Sequence, residues 1–185
     1  MNIENIWKTY CKMEFVKTAI SNLYLIKPLI NDDERGSFME TYHIEKFKSE
    51  GINYHYKQDN LVHSKKNVLR GLHYQKNKPQ AKLIKCIRGE IFDVVVDMRT
   101  TSSSFGYWHG EILSEDNNHQ LFVPEGFAHG YYVISEFASV SYKCSEVYDC
   151  KDEGGIIWND SKLKIKWPCI KPILSKKDQN WPSFN

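Results

Sequence analysis

Apolar and polar residues alternate in short bursts along most of this chain. Ala138, Val140, Tyr142 and Cys144 are interleaved with Ser139, Ser141, Lys143 and Ser145. A period of two sends successive side chains to opposite faces of a β-strand. Strand-like pieces fall at 23–28, 37–42, 54–60, 68–74, 82–88, 90–98, 107–113, 119–123, 128–134, 138–145 and 156–158. Turn signals separate them at Asp33-Glu34-Arg35-Gly36, Arg88-Gly89, Ser114 to Asn118 and Glu153-Gly154-Gly155. One helix is expected over 44–50, where Ile44 and Phe47 stand one turn apart, and a short helical or turn segment after Ser175. The first dozen residues show no periodicity, so 1–13 reads as an N-terminal extension and 14–185 as a single domain. Many short strands, few helices and no internal repeat predict an all-β jelly-roll barrel. In 91–97 the pattern alternates around a buried-looking middle, with Asp93 and Asp97 of like parity. A carboxylate facing a barrel lumen needs a partner, and a histidine is the natural one.

Composition narrows the function classes. A net charge of +2 is too small to argue for nucleic acid, and the lysine pairs Lys65-Lys66 and Lys176-Lys177 read as solvated loops. An aromatic share of 14% favours β-structure with a stacking site. No apolar run approaches the length of a membrane span, and the opening residues lack the apolar stretch of a secretion signal. The 5 cysteines form no CxxC pair, so a cytoplasmic protein with reduced thiols is expected, Cys86 and Cys144 filling the core.

Two histidine-glycine motifs carry the chemistry: Leu69-Arg70-Gly71-Leu72-His73-Tyr74-Gln75 and Pro124-Glu125-Gly126-Phe127-Ala128-His129-Gly130. The second has the Pro-x-Gly-x-x-His form of the second motif of cupin barrels. The first departs from the cupin metal motif, which wants His-x-His followed by Glu. Gln75 stands two places after His73, and glutamine is a poor metal ligand. That favours acid–base work by an imidazole over metal chemistry.

With these motifs stand Asp33 to Gly36, Gln58-Asp59-Asn60, Ser64 to Gln75, Lys82-Leu83, Gly89 to Val94, Tyr142-Lys143-Cys144 and Ile157-Trp158-Asn159-Asp160, all in order. Over roughly residues 14 to 182 the chain resembles the dTDP-4-dehydrorhamnose 3,5-epimerases. The resemblance implies a double-stranded β-helix of the cupin-like jelly-roll type, and a homodimer with an exchanged N-terminal strand. It also implies cofactor-free epimerisation of a dTDP-4-keto-6-deoxyhexose towards dTDP-L-rhamnose. His73 matches the base, Asp178 its orienting carboxylate, Tyr142 the proton donor and Lys82 the group that stabilises the enolate. Arg35, Arg70 and Lys177 match the diphosphate contacts. Glu40, Gln58, Asp59, Asn60, His129 and Glu153 match further substrate contacts, and Tyr148 is suited to stack on thymine. The chain departs from the family pattern at Leu61-Val62, where many relatives carry His-Ser, and at Ala81, where a glycine is usual. Three rivals remain at this level: a C3-only or related epimerase, a metal-dependent cupin and a non-catalytic sugar-binding jelly roll.

Overall fold

The computed structural model describes residues 12–185, so the expected N-terminal extension lies outside the described residues except for Lys12 and Met13. Met13 is buried in one apolar cluster with Tyr24, Ile26 and Phe122. The strands are β1 (Glu14–Lys17), β2 (Tyr24–Lys27), β3 (Ile30–Asp33), β4 (Gly36–Met39), β5 (Gln58–Lys65), β6 (Leu69–Gln75) and β7 (Lys82–Arg88). They continue as β8 (Glu90–Asp97), β9 (Trp108–Ser114), β10 (Gln120–Val123), β11 (Phe127–Val133), β12 (Phe137–Cys144) and β13 (Glu153–Gly155). The helix α1 spans Ile44–Ser49, begun by the His43 ring, which accepts from the Glu45 amide at 3.2 Å.

A six-stranded sheet, β1-β2-β10-β7-β12-β5, faces a five-stranded sheet, β13-β6-β11-β8-β9. The hairpin β3–β4 is a separate two-stranded sheet. Between the large sheets lies the main core, with Ile84 and Cys86 of β7, Ile91 and Val95 of β8, Leu121 and Val123 of β10 and Val140 of β12. Both sheets are also covered outside. Phe47 of α1 packs with Tyr24, Ile26, Leu83 and Phe122 on the six-stranded sheet. The segment after β13 lays Ile156, Leu163, Trp167 and Phe184 over Leu72, Val94, Val96 and Ala128 on the other. Burial on both faces is why β8 runs Val94-Val95-Val96 without a polar break.

Three expected boundaries move. The strand expected at 54–60 starts four residues later, at Gln58, because Tyr54 and Tyr56 turn outward to pack with α1's cluster. Glu153-Gly154-Gly155 is a strand paired with β6 and not a turn, and the strand expected at 156–158 lies beyond it as irregular chain. The piece expected at 37–42 is shorter and belongs to the β3–β4 hairpin.

Candidate active site

The alternation decides which side chains enter the space between the sheets. On β7 the core residues Ile84 and Cys86 share parity with Lys82; on β11 Phe127 and Val133 share it with His129 and Tyr131. By the same rule β12 turns Val140, Tyr142 and Cys144 inward, and β6 turns His73 and Gln75 inward opposite Leu72. The two motif histidines face each other in register across β6 and β11. Their neighbouring glycines make that approach possible. A Cβ on Gly130 would stand 2.6 Å from the Arg70 carbonyl oxygen, and one on Gly71 would stand 2.5 Å from the Gly130 Cα.

These side chains border two adjoining chambers of about 240 and 350 Å³ that share His73, Lys82, Tyr142, Tyr148 and Glu153. Gln58 and Asn60 lie on one side, and Arg70, His129, Lys177 and Asp178 on the other. His73 Nε2 lies 2.5 Å from Asp178 Oδ1, a pair 105 positions apart in sequence. Asp178 is buried, and also accepts from Trp181 Nε1 at 3.3 Å, while its backbone amide donates to Ser175 Oγ at 3.0 Å. Burial by itself would raise this carboxyl's pKa, but the hydrogen bonds to His73, Ser175 and Trp181 prevail and hold it below the usual range. The Trp181 ring sits edge-on to His73 at 5.9 Å and occupies the space over Gly155, where a Cβ would stand 2.3 Å from it.

Across the cavity, burial, reinforced by Cys144 and Tyr131, pushes the Tyr142 phenol up to about 12, with Arg70 acting against it. Such a phenol stays protonated at any working pH. Burial lowers the Lys82 ammonium, opposed by the neighbouring Cys144, Asp93 and Glu153. His129 Nε2 lies 2.8 Å from Asp93 Oδ2, so the lumen carboxylate has its histidine. The other oxygen of the fully buried Asp93 has no hydrogen-bond partner among the described residues. Glu153 accepts from Lys177 at 2.6 Å and from the Tyr148 hydroxyl at 2.7 Å, and lies 3.9 Å from His73 Nδ1.

Three expected site residues stand elsewhere in this chain. Arg35 and Glu40 are on and just after the β3–β4 hairpin, Arg35 bound to Asp33 in solvent and Glu40 to Lys46. Asp59 points outward from β5 and pairs with Lys143 at 2.9 Å. Several residues were missed: Tyr131, whose hydroxyl lies 3.4 Å from Ser64 Oγ, Cys144 and Gln75 in the cavity lining, and Trp181 behind it against His73. Parity with His129 could have found Tyr131. Nothing in the local pattern foretells Trp181, which reaches the site from irregular chain.

An imidazole with its own carboxylate, a half-buried phenol and a half-buried ammonium around one cavity suit proton removal and return beside a carbonyl. Comparisons with known proteins agree. A family model described as dTDP-4-dehydrorhamnose 3,5-epimerase matches residues 17–185. A curated relative of that description from Salmonella typhimurium strain LT2 is 46% identical over 173 residues, 92% of this chain and 94% of its own. The crystal structure of one from Elizabethkingia anophelis NUHP1 is 47% identical with a TM-score of 0.90, covering 93% of this chain and 96% of that one. Another solved structure, RmlC from Legionella pneumophila Philadelphia 1 in complex with dTDP-4-keto-L-rhamnose, is 42% identical with a TM-score of 0.90 and 93% coverage of both chains.

Proposed function

The chain belongs to the dTDP-4-dehydrorhamnose 3,5-epimerase family, and from that premise we propose that it inverts C3 and C5 of dTDP-4-dehydro-6-deoxy-D-glucose, giving dTDP-4-dehydro-L-rhamnose. The observation that carries this reading is the shared cavity of His73, backed by Asp178, with Tyr142 and Lys82. The C3 and C5 protons are weakly acidic because each is α to the C4 carbonyl. His73 takes one of them, and the released electron pair forms the enolate with its charge on the C4 oxygen. Asp178 keeps the ring oriented and stabilises the imidazolium. Lys82 faces the developing oxyanion in a site where water screens little. Tyr142 then returns a proton to the opposite face of the carbon, which inverts it. The phenolate and imidazolium reset by exchange with solvent before the second centre reacts.

The nucleotide occupies the cavity mouth. Arg70 and Lys177 grip the diphosphate, Tyr148 stacks on thymine, and Gln58, Asn60, Glu153 and His129 add polar contacts. The Legionella relative's bound dTDP-4-keto-L-rhamnose supports this choice of ligand. Arg35 and Glu40 contribute from a second copy of the chain, whose exposed β3–β4 hairpin reaches into this cavity. The 70% exposure of Phe38 on that hairpin supports such a homodimer. Asp59 acts indirectly, by tying β5 to β12 through Lys143. The reaction needs no metal. At the cupin ligand position, Gln75 uses its amide on backbone groups of Lys78, Val147 and Asp149. The described cysteines are free thiols, in keeping with the cytoplasm, and no described helix is long and apolar enough to cross a membrane.

Incubation with dTDP-4-keto-6-deoxyglucose in deuterated water tests the reading. Deuterium at both C3 and C5 of inverted product supports it. Deuterium at C3 alone would make the protein a monoepimerase, and activity abolished by a chelator would favour a metal-dependent cupin.

A further inference from the structure

The stretch that carries Tyr148 follows β12 and belongs to no strand, yet its backbone is held at four consecutive residues. Three glutamines hold it. Gln80 Nε2 donates to the Glu146 carbonyl at 2.7 Å, and Gln75 Nε2 to the Val147 carbonyl at 3.3 Å. Gln58 Oε1 accepts from the Tyr148 amide at 2.8 Å, and Gln75 Oε1 from the Asp149 amide at 2.6 Å. Gln75 is buried, and its second N–H reaches the Lys78 carbonyl at 2.7 Å, so it ties two loops together. Gln58 is itself fixed, its Nε2 donating to Asn60 Oδ1 at 2.9 Å. A primary amide suits this work because one group offers both donor and acceptor to a backbone that pairs with no strand. The backbone is thus pinned while the Tyr148 ring stays half-exposed at the cavity mouth.

We infer that Gln75 is a positioning residue that sets nucleotide affinity through Tyr148, holding the ring ready before substrate arrives. A platform ordered in advance loses little freedom on binding, so the clamp acts on affinity and not on proton transfer. The inference rests on the reading of Tyr148 as the base-stacking residue. It gives the position of the cupin metal ligand a different task in this chain, that of loop anchor.

Gln75→Met keeps the side chain's length and volume and removes its bonds to both loops. The dissociation constant for dTDP and the KM for the sugar nucleotide should each rise about tenfold, with kcat changed by less than about twofold. In a Tyr148→Ala background the same substitution should add nothing further, since two residues acting as a unit are not additive. A fall in kcat at unchanged KM, or a full penalty persisting without the Tyr148 ring, would overturn the proposal. If Tyr148→Ala alone binds dTDP as the wild type does, the stacking reading itself fails, and the clamp falls with it for that separate reason. Should Gln75→Met not fold, Gln80→Met loses only the Glu146 bond at the outer edge. It should weaken dTDP binding about threefold, again only while Tyr148 is present.

Discussion

His73 has a carboxylate at hydrogen-bonding distance from one ring nitrogen and a second, already neutralised by Lys177, farther from the other. The first fixes the ring and the second leaves a nitrogen open to substrate. His73→Asn should therefore lower kcat on the order of 10²–10⁴-fold while dTDP binding, read by calorimetry, stays near the wild-type value. Tyr142→Phe keeps the ring and removes the returning proton. Exchange of substrate protons with deuterated solvent should then outpace formation of inverted product, a partition visible by NMR of recovered sugar. Lys143 cannot replace the phenol, because it points to the opposite face, against Asp59. The same variant has a second readout. The folded phenol's pKa, about 12, lies above the ordinary 10, so its contribution to stability is complete below pH 10 and lost as pH climbs through about 12. Tyr142→Phe should flatten the loss of stability over that interval, which denaturant titrations at alkaline pH would record. An unchanged slope would mean that the phenol titrates normally.

At the scale of strands, alternation was a sound guide wherever both faces had defined neighbours. β7, β8, β11 and β12 fall within a residue or two of their expected ends, and their inward parity alone brings Lys82, Asp93, His129 and Tyr142 together. It failed where a segment's partner is irregular. Tyr54 and Tyr56 look like strand residues but serve the α1 cluster, and the glycines after Glu153 look like a turn although they pair with β6. Gly155 has no side chain because Trp181 occupies that space, a demand that comes from chain 26 residues away and leaves no local mark. Gly155→Ala should displace the indole, weakening its bond to Asp178 and the edge contact with His73. We expect kcat to fall about tenfold or more with dTDP affinity little altered, and tryptophan fluorescence to shift as the ring moves. Normal turnover with an unchanged emission spectrum would show that the space is larger than the geometry indicates.

For the whole molecule, the proposed homodimer has Arg35 and Glu40 serve the site of a second copy, an arrangement that no alternation pattern within one chain could locate. Mixing exposes this directly. Co-expressed Arg35→Ala and His73→Ala chains should recover about a quarter of wild-type activity, since half the dimers are hybrids and each hybrid has one site with both residues intact. Activity no greater than the two separate variants would place Arg35 in the service of its own chain, or outside the site. The pairing of His73 with Asp178 has a consequence of another kind. Synthesis runs in one direction, so every strand from β5 to β13 is made before Asp178. A nascent chain halted in that interval would already carry Arg70, Tyr148 and the other nucleotide contacts proposed for its own chain except Lys177, yet His73 would have nothing to orient it. Ability to hold substrate and ability to turn it over thus mature at different moments in the life of one polypeptide, and turnover comes later.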